Sequence, residues 1–324
     1  MQSSAVPLNN SVSGGIVVRT MRASPILRAG GSQGSAIIAL VVCALLWSTG
    51  GLLIKAVTWN PLAIAGVRSV LGGIVILVWL RRPHFTWSFA QIAGALSYAG
   101  CMILFVMANK LTTAANAIML QYTAPLYAAV LGWVFLGEKA TPVDWITIVV
   151  VLGGMALFFM DKLTLGGMEG NLLAVASGIL FAVAMVSFRA QKDSSSIESI
   201  LLSHAVVVAV CLPFVFRGAP TFGGFPGLSA RASLAFGIGG LACLGIFQIG
   251  ISSILLSYGV KHVSALQTLL TAVLEPIFNP VWVFLLLGER PGTWALVGAV
   301  IILVAVTLRS VLSLRSASRS AASG

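Results

Sequence analysis

The chain has 324 residues, of which 58% are hydrophobic and 8% charged, against about 25% charged in a soluble domain. So few charges cannot cover a water-exposed surface, which excludes a soluble globular protein and makes the bilayer the principal solvent. The net charge of +11 would suggest nucleic acid in a soluble chain, but here the basic residues lie mainly between or beyond apolar runs, where they orient a membrane protein, and no nucleic-acid partner is expected.

Residues 1–34 are rich in Ser, Gly and Asn, carry Arg19, Arg22 and Arg28, and read as a flexible cytoplasmic tail in which Met21 is a second candidate start. From there, about 20 apolar residues per crossing place spans near 36–55, 61–80, 89–108, 113–136, 143–160, 171–189, 199–216, 234–258, 263–288 and 293–312. The fold class is an all-α integral membrane protein of ten transmembrane helices. Connections are short, so consecutive helices are antiparallel neighbours, and any site lies among the helices. Leaving Arg68 aside as lying within a span, the end that carries the N-terminus collects twelve Lys and Arg residues and the other end six. That bias puts both termini in the cytoplasm of a multi-pass protein of the cell membrane, the inner membrane if the source is bacterial.

Cys43, Cys101, Cys211 and Cys243 fall inside apolar spans without metal-ligand spacing, so neither disulfide nor metal site is expected. There is no GxSxG, no HExxH and no acidic pair, and His84, His204 and His262 are far apart in the chain. No enzyme activity and no cofactor are expected. A channel would need charged rings or a filter loop, and neither is present.

The most informative feature is self-similarity at an offset of 151 residues: KLTTAANAIMLQYTAPLYAAVLGWVFLGEK (110–139) matches KHVSALQTLLTAVLEPIFNPVWVFLLLGER (261–290) without a gap. Lys110 pairs with Lys261, Asn116 with Gln267, Pro125 with Pro276, and Leu136-Gly137-Glu138 with Leu287-Gly288-Glu289. A weaker match at offset 134 aligns Trp47 and Lys55 with Phe181 and Arg189. Five crossings per half is an odd number, so the second half enters from the opposite side and the two repeats are inverted, a plan that provides inward-open and outward-open states.

These residues also carry a resemblance. LLWSTGGLLIK in the first span, Pro61 with Arg68 in the second, Pro125 with GEK at the fourth, and EP with LLLGER at the ninth resemble the EamA repeats of the drug/metabolite transporter superfamily. The resemblance covers nearly all of 36–312, with a first repeat over 35–162, a second over 163–313 and a cytoplasmic tail at 314–324. Within the superfamily the chain is most similar to the YddG-type exporters of aromatic and other amino acids. The resemblance implies an exporter of small metabolites, most of all amino acids with aromatic ones favoured, by alternating access around a central cavity. Other solute classes, a drug-like cation or a nucleotide or sugar metabolite, are the alternative. The partners implied are a small-molecule solute and the lipid bilayer, and a monomer is compatible with the scheme.

Glu275 stands about midway through the ninth span, where an ionised carboxylate costs roughly 2.5–3.5 kcal/mol. Either it faces a water-filled cavity and meets a solute ammonium or a proton, or it stays protonated and satisfies carbonyls left unpaired by Pro276. Gln267, Thr271, Glu275 and Asn279 recur every four residues on one winding helix face, the pattern of a cavity wall, although helix-to-helix hydrogen bonding would use the same residues. Asn116 and Thr123 share a face of the fourth span, with Gln121 and Tyr122 nearby. Trp47, Ser48 and Thr49, Tyr98 and Met102, Phe181, and Gln248, Ser252 and Tyr258 complete a candidate pocket with apolar walls and a few polar groups. The substrate-cavity set is therefore Trp47, Ser48, Tyr98, Met102, Asn116, Phe181, Gln248, Ser252, Gln267, Thr271 and Glu275, with Pro125 and Pro276 as paired kinks that act as hinges or as fixed bends. Trp59, Trp79, Trp87 and Trp145 are assigned to the interfacial belt. Arg68 either pairs with Glu275 or snorkels to the headgroups, and snorkelling is the expectation.

Overall fold

A computed structural model describes residues 33–160, 166–194, 196–216, 218–222, 229–287 and 292–322. The tail before Gln33, the side chains of Lys55, Lys110 and Asn279, and the segment Gly288-Glu289-Arg290 lie outside the described residues. In chain order the helices are α1 (Gln33–Ala56), α2 (Pro61–Leu80), α3 (Phe89–Leu111), α4 (Ala114–Gln121), α5 (Ala124–Leu136), α6 (Pro142–Phe158), α7 (Met168–Ala190), α8 (Ile197–Val215), α9 (Ala230–Cys243), a π-helical segment (Leu244–Ile251), α10 (Ser252–His262), α11 (Ala265–Ala272), α12 (Leu274–Leu287) and α13 (Thr293–Ala322). Among the described residues eight helical runs are long and apolar enough to cross a bilayer, and the shorter apolar helices Pro142–Phe158 and Ala265–Phe278 stand at the fifth and ninth expected spans. The hydropathy spans are recovered, but three crossings are interrupted: the fourth is α4 plus α5, the eighth runs through the π segment, and the ninth is α11 plus α12. The last helix also continues to Ala322, because nothing between 312 and 322 is Pro or Gly.

Local chemistry explains the helix starts. Asn60 Oδ1 accepts from Leu62 N at 2.9 Å ahead of Pro61, and Thr141 with Asp144 forms a capping box on α6. The repeat extends to the caps. Thr113 Oγ1 accepts from Asn116 N at 3.1 Å at the start of α4, and Ser264, its repeat partner, accepts from Gln267 N at 3.1 Å at the start of α11. At the other end of the fourth crossing Gly137 takes φ +68, the left-handed cap that a side chain disfavours, and returns its N–H to Trp133.

The two halves interleave, since the most extensive helix–helix contacts all join one half to the other. They also obey the inverted repeat. Contact of α3 with α7 is matched by α10 with α1, α2 with the π segment by α8 with α3, α5 with α7 by α12 with α1, and α4 with α7 by α11 with α1, while α2 with α8 and α6 with α13 map onto themselves. Small residues permit the close crossings: a Cβ at Gly298 would lie 2.5 Å from the Gly154 carbonyl, and one at Gly94 would lie 2.9 Å from the Phe188 ring. At the end opposite Glu138, β1 (Val57–Thr58) pairs antiparallel with β2 (Thr221–Phe222), joining a loop of each half. This short ladder has no hydropathy signature and was not expected.

Candidate transport site

The breaks in the fourth and ninth crossings meet. α4 ends at Gln121 and α5 starts at Ala124, while α11 ends at Ala272 and α12 starts at Leu274. Pro125 is the second residue of α5 and Pro276 the third of α12, positions whose N–H would be unpaired in any helix. The prolines therefore sit just inside new helices rather than kinking continuous ones, which refines the expectation. Across the gap, Tyr122 Oη donates to Glu275 Oε2 at 2.6 Å. Glu275 lies in the first turn of α12, where the helix dipole favours a negative charge in mid-membrane, and it is only partly buried. These two contacts offset a good share of the cost of a carboxylate there.

A second cluster forms between α1, α2 and the π segment. Trp47 Nε1 donates to Ser252 Oγ at 2.9 Å, Ser252 Oγ donates to the Gln248 carbonyl, and Arg68 Nη1 donates to Gln248 Oε1 at 3.2 Å. Gln248 fills the space beside Gly50, where a Cβ would come within 2.3 Å of its Nε2. The π segment carries Gln248, in keeping with the frequent use of such segments at functional sites. Ser48 Oγ accepts from Trp282 Nε1 at 2.8 Å, tying α1 to α12.

Aromatic rings run on from this cluster. Trp47 faces Phe181 with centroids 6.2 Å apart, Phe181 stacks on Tyr98 at 6.4 Å, and Tyr98 meets His204 edge-on at 6.4 Å. Trp47, Tyr98, Phe181, Gln248 and Ser252 are thus brought together, with Ser48 beside them.

Other expected members lie elsewhere. Asn116 Nδ2 donates to Asn171 Oδ1 at 3.1 Å and to Thr112 Oγ1 at 3.2 Å, stitching α4 to α7 at the end away from Glu138. Gln121 Nε2 donates to Ser177 Oγ at 2.9 Å, again between helices. Thr271 turns its hydroxyl back to the Gln267 carbonyl, and Met102 packs among apolar side chains. Gln267 Oε1 accepts from Ser313 Oγ at 3.2 Å and lines a different space. Of the four-residue stripe, Gln267, Thr271 and Glu275 therefore do not share one wall: Gln267 bonds to Ser313, Thr271 to its own helix and Glu275 to Tyr122, along a helix broken at Val273.

Arg68 corrects the snorkelling expectation. It is 8% exposed and bonded to Gln248, in the interior and not at the headgroups. His204 and the π segment carry no site expectation from the sequence, and Tyr122 enters there only as a neighbour of the Asn116–Thr123 face. Tyr122 immediately precedes Thr-Ala-Pro, a usable signal, whereas a π segment keeps an apolar composition and leaves none.

At the Glu138 end a cavity of about 320 Å³ is lined by Glu138, Arg189, His262, Gln267, Arg309 and eleven further residues, of which Ala128 reaches deepest along α5. Ala128 is six residues from Tyr122, so the cavity floor stands about 9 Å of helix rise from the Glu275 pair. Arg189 Nε pairs with Glu138 Oε1 at 2.7 Å and its Nη1 reaches the Val260 carbonyl at 3.3 Å, so one cation holds the end of α10 beside the end of α5. Arg309 pairs with Asp144, joining α13 to α6.

The model of the EamA-like transporter family matches this chain twice, over residues 34–160 and 168–311. The chain belongs to that family. It is 25% identical over 277 residues to an uncharacterized transporter of Archaeoglobus fulgidus, covering 83% of this chain and 94% of the relative. It is 25% identical over 286 residues to the pseudopaline exporter CntI of Pseudomonas aeruginosa, covering 84% and 94%. A solved crystal structure covers 87% of this chain and 99% of its own at a TM-score of 0.71, with 18% identity, and shares the fold. This EamA-type protein is a multi-pass membrane transporter of the drug/metabolite superfamily.

Proposed function

We propose that the protein exports small metabolites, amino acids and chiefly aromatic ones, by alternating access around the Glu275 region. The observation that carries this reading is the meeting of a mid-membrane carboxylate, at the junction of two broken helices, with an aromatic wall made by Trp47, Phe181 and Tyr98. Glu275 supplies a partner for an ammonium group and the rings supply apolar area, a combination suited to an amino acid. One relative is named as the exporter of a small metabolite, which supports outward movement. Division into repeats at 35–162 and 163–313 goes with this reading, as do cytoplasmic termini, an inner-membrane location in a bacterium, and Pro125 and Pro276 as hinge points. Because packing crosses so extensively between halves, opening proceeds by bending at the paired breaks rather than by rocking of two separate lobes.

The test is counterflow in proteoliposomes with amino acids and related metabolites, at matched and opposed pH. Saturable uptake of aromatic amino acids that falls in Glu275→Ala and Trp47→Ala supports the proposal, and undiminished flux in both variants sinks the site. Uptake confined to organic cations or to nucleotide sugars would replace the amino-acid reading with the alternative.

A further inference from the structure

Arg68 and His204 form a buried polar group of their own on the wall made by α2 and α8, 8% and 1% exposed. A guanidinium offers five N–H donors. Arg68 Nη1 is taken by Gln248 Oε1 at 3.2 Å, and Nε is buried with no hydrogen-bond partner. His204 Nδ1 stands 3.4 Å from Ser69 Oγ, and its Nε2 is likewise buried and unpartnered. In the tautomer in which Nδ1 accepts from Ser69 Oγ, the ring proton lies on Nε2 and gives a second unpartnered donor. His204 meets Ser69, the residue after Arg68 in α2, and faces the Tyr98 ring edge-on at 6.4 Å, which ties it to the wall that carries Arg68.

Among the described residues no ion pair balances this charge. Glu275 Oε2 is bonded to Tyr122, and no salt bridge joins Glu275 to Arg68 among the described residues. A tie between α2 and the π segment would explain Nη1 but neither unpartnered nitrogen. Unpartnered buried donors beside a fixed cation are a receptor for an oxygen anion. A single buried cation balances a monoanion and leaves a phosphate dianion with excess negative charge.

We propose that Arg68, assisted by His204, binds a carboxylate of the transported solute, while Glu275 takes the solute's ammonium group where one is present. This rests on the reading of the Glu275 region as the transport site. It narrows the solute class to monocarboxylates and zwitterions, and it makes an amine lacking a carboxylate a poor substrate.

The experiment uses the full chain in two assays. In proteoliposome counterflow, phenylalanine, phenylalaninamide and phenethylamine are compared for wild type, Arg68→Gln, Arg68→Lys and His204→Gln. Wild type prefers phenylalanine, Arg68→Gln raises its KM by about tenfold or more with little effect on residual amine uptake, Arg68→Lys recovers part of the loss, and His204→Gln loses less. Equal losses for the acid and the amines in a variant that retains the wild-type thermal midpoint would overturn the subsite and leave Arg68 a packing residue. In detergent, millimolar 3-phenylpropionate raises the thermal midpoint of wild type but not of Arg68→Gln, and phenethylamine does not reproduce the rise. Absence of a carboxylate-dependent shift in wild type overturns the subsite too. Failure of phenylalanine uptake with the 3-phenylpropionate shift intact counts against the amino-acid reading alone.

Discussion

The fourth and ninth crossings share one plan and differ in what they place at the break. Each begins at a hydroxyl cap, Thr113 or Ser264, and each stops about nine residues later and restarts with a proline in its first turn. At the junction the first copy carries Tyr122 and ties Gln121 to Ser177, so that it is anchored to α7. The second copy carries Glu275, and its preceding hydroxyl, Thr271, bonds only to its own helix. The repeat thus conserves backbone geometry while substitution divides the chemistry: one copy supplies a phenolic donor and a fixed seat, the other the charge.

That division makes ordered predictions. The largest effect belongs to Glu275→Ala, which should lower counterflow roughly a hundredfold, the scale for removing a charged contact group. Tyr122→Phe leaves the carboxylate in place without one hydrogen bond and should cost about tenfold. A Tyr122→Phe loss as deep as that of Glu275→Ala would break the comparison, because charge would then not reside in one copy.

Gly50→Ala comes next. Its methyl would meet Gln248 Nε2 at 2.3 Å, and the resulting overpacking should destabilise by about 1–3 kcal/mol, read as a lower thermal midpoint in detergent. Gln248→Ala added to Gly50→Ala should recover part of that loss, a coupling measurable as a double-mutant cycle.

Pro125→Ala and Pro276→Ala should each change stability by less than about 1 kcal/mol, because a proline in the first turn removes no helix bond. If these prolines set the bending points, flux falls several-fold with almost no shift in midpoint. Parallel small losses in both assays would make them fixed bends. The smallest effect is expected for Glu138→Gln, at most about 0.5 kcal/mol in thermal stability with flux unchanged, since the partly exposed Glu138–Arg189 pair loses charge but keeps its hydrogen-bonding shape. Glu138 Oε2 also accepts from Ala265 N at 3.3 Å, so this substitution probes the tie between the end of α5 and the start of α11.

Much of this was legible beforehand. Trp47 and Phe181 were paired by the weak repeat, and they lie in contact. Gln248, Ser252 and Tyr98 were recognisable as polar or aromatic groups inside apolar runs, where each needs a partner. Asn116 and Gln267 carry the same signature, yet one bonds between helices and the other lines the cavity at the Glu138 end. A polar residue in a span announces that it has a partner without saying which. Arg68 was misread for a related reason: a long side chain can reach the headgroups, and only a neighbour such as Gln248 holds it inside.

The sequence by itself determined the number of crossings, the membrane as solvent and the inverted repeat, because hydropathy and self-similarity are properties of local composition and register. Tertiary structure alone decided that the halves interleave, that the two proline sites are breaks facing each other, and that Tyr122 meets Glu275 across 153 residues of chain. These are contacts between helices far apart in sequence, and their choice depends on which small residues let two backbones approach, a matter of packing that no single span records.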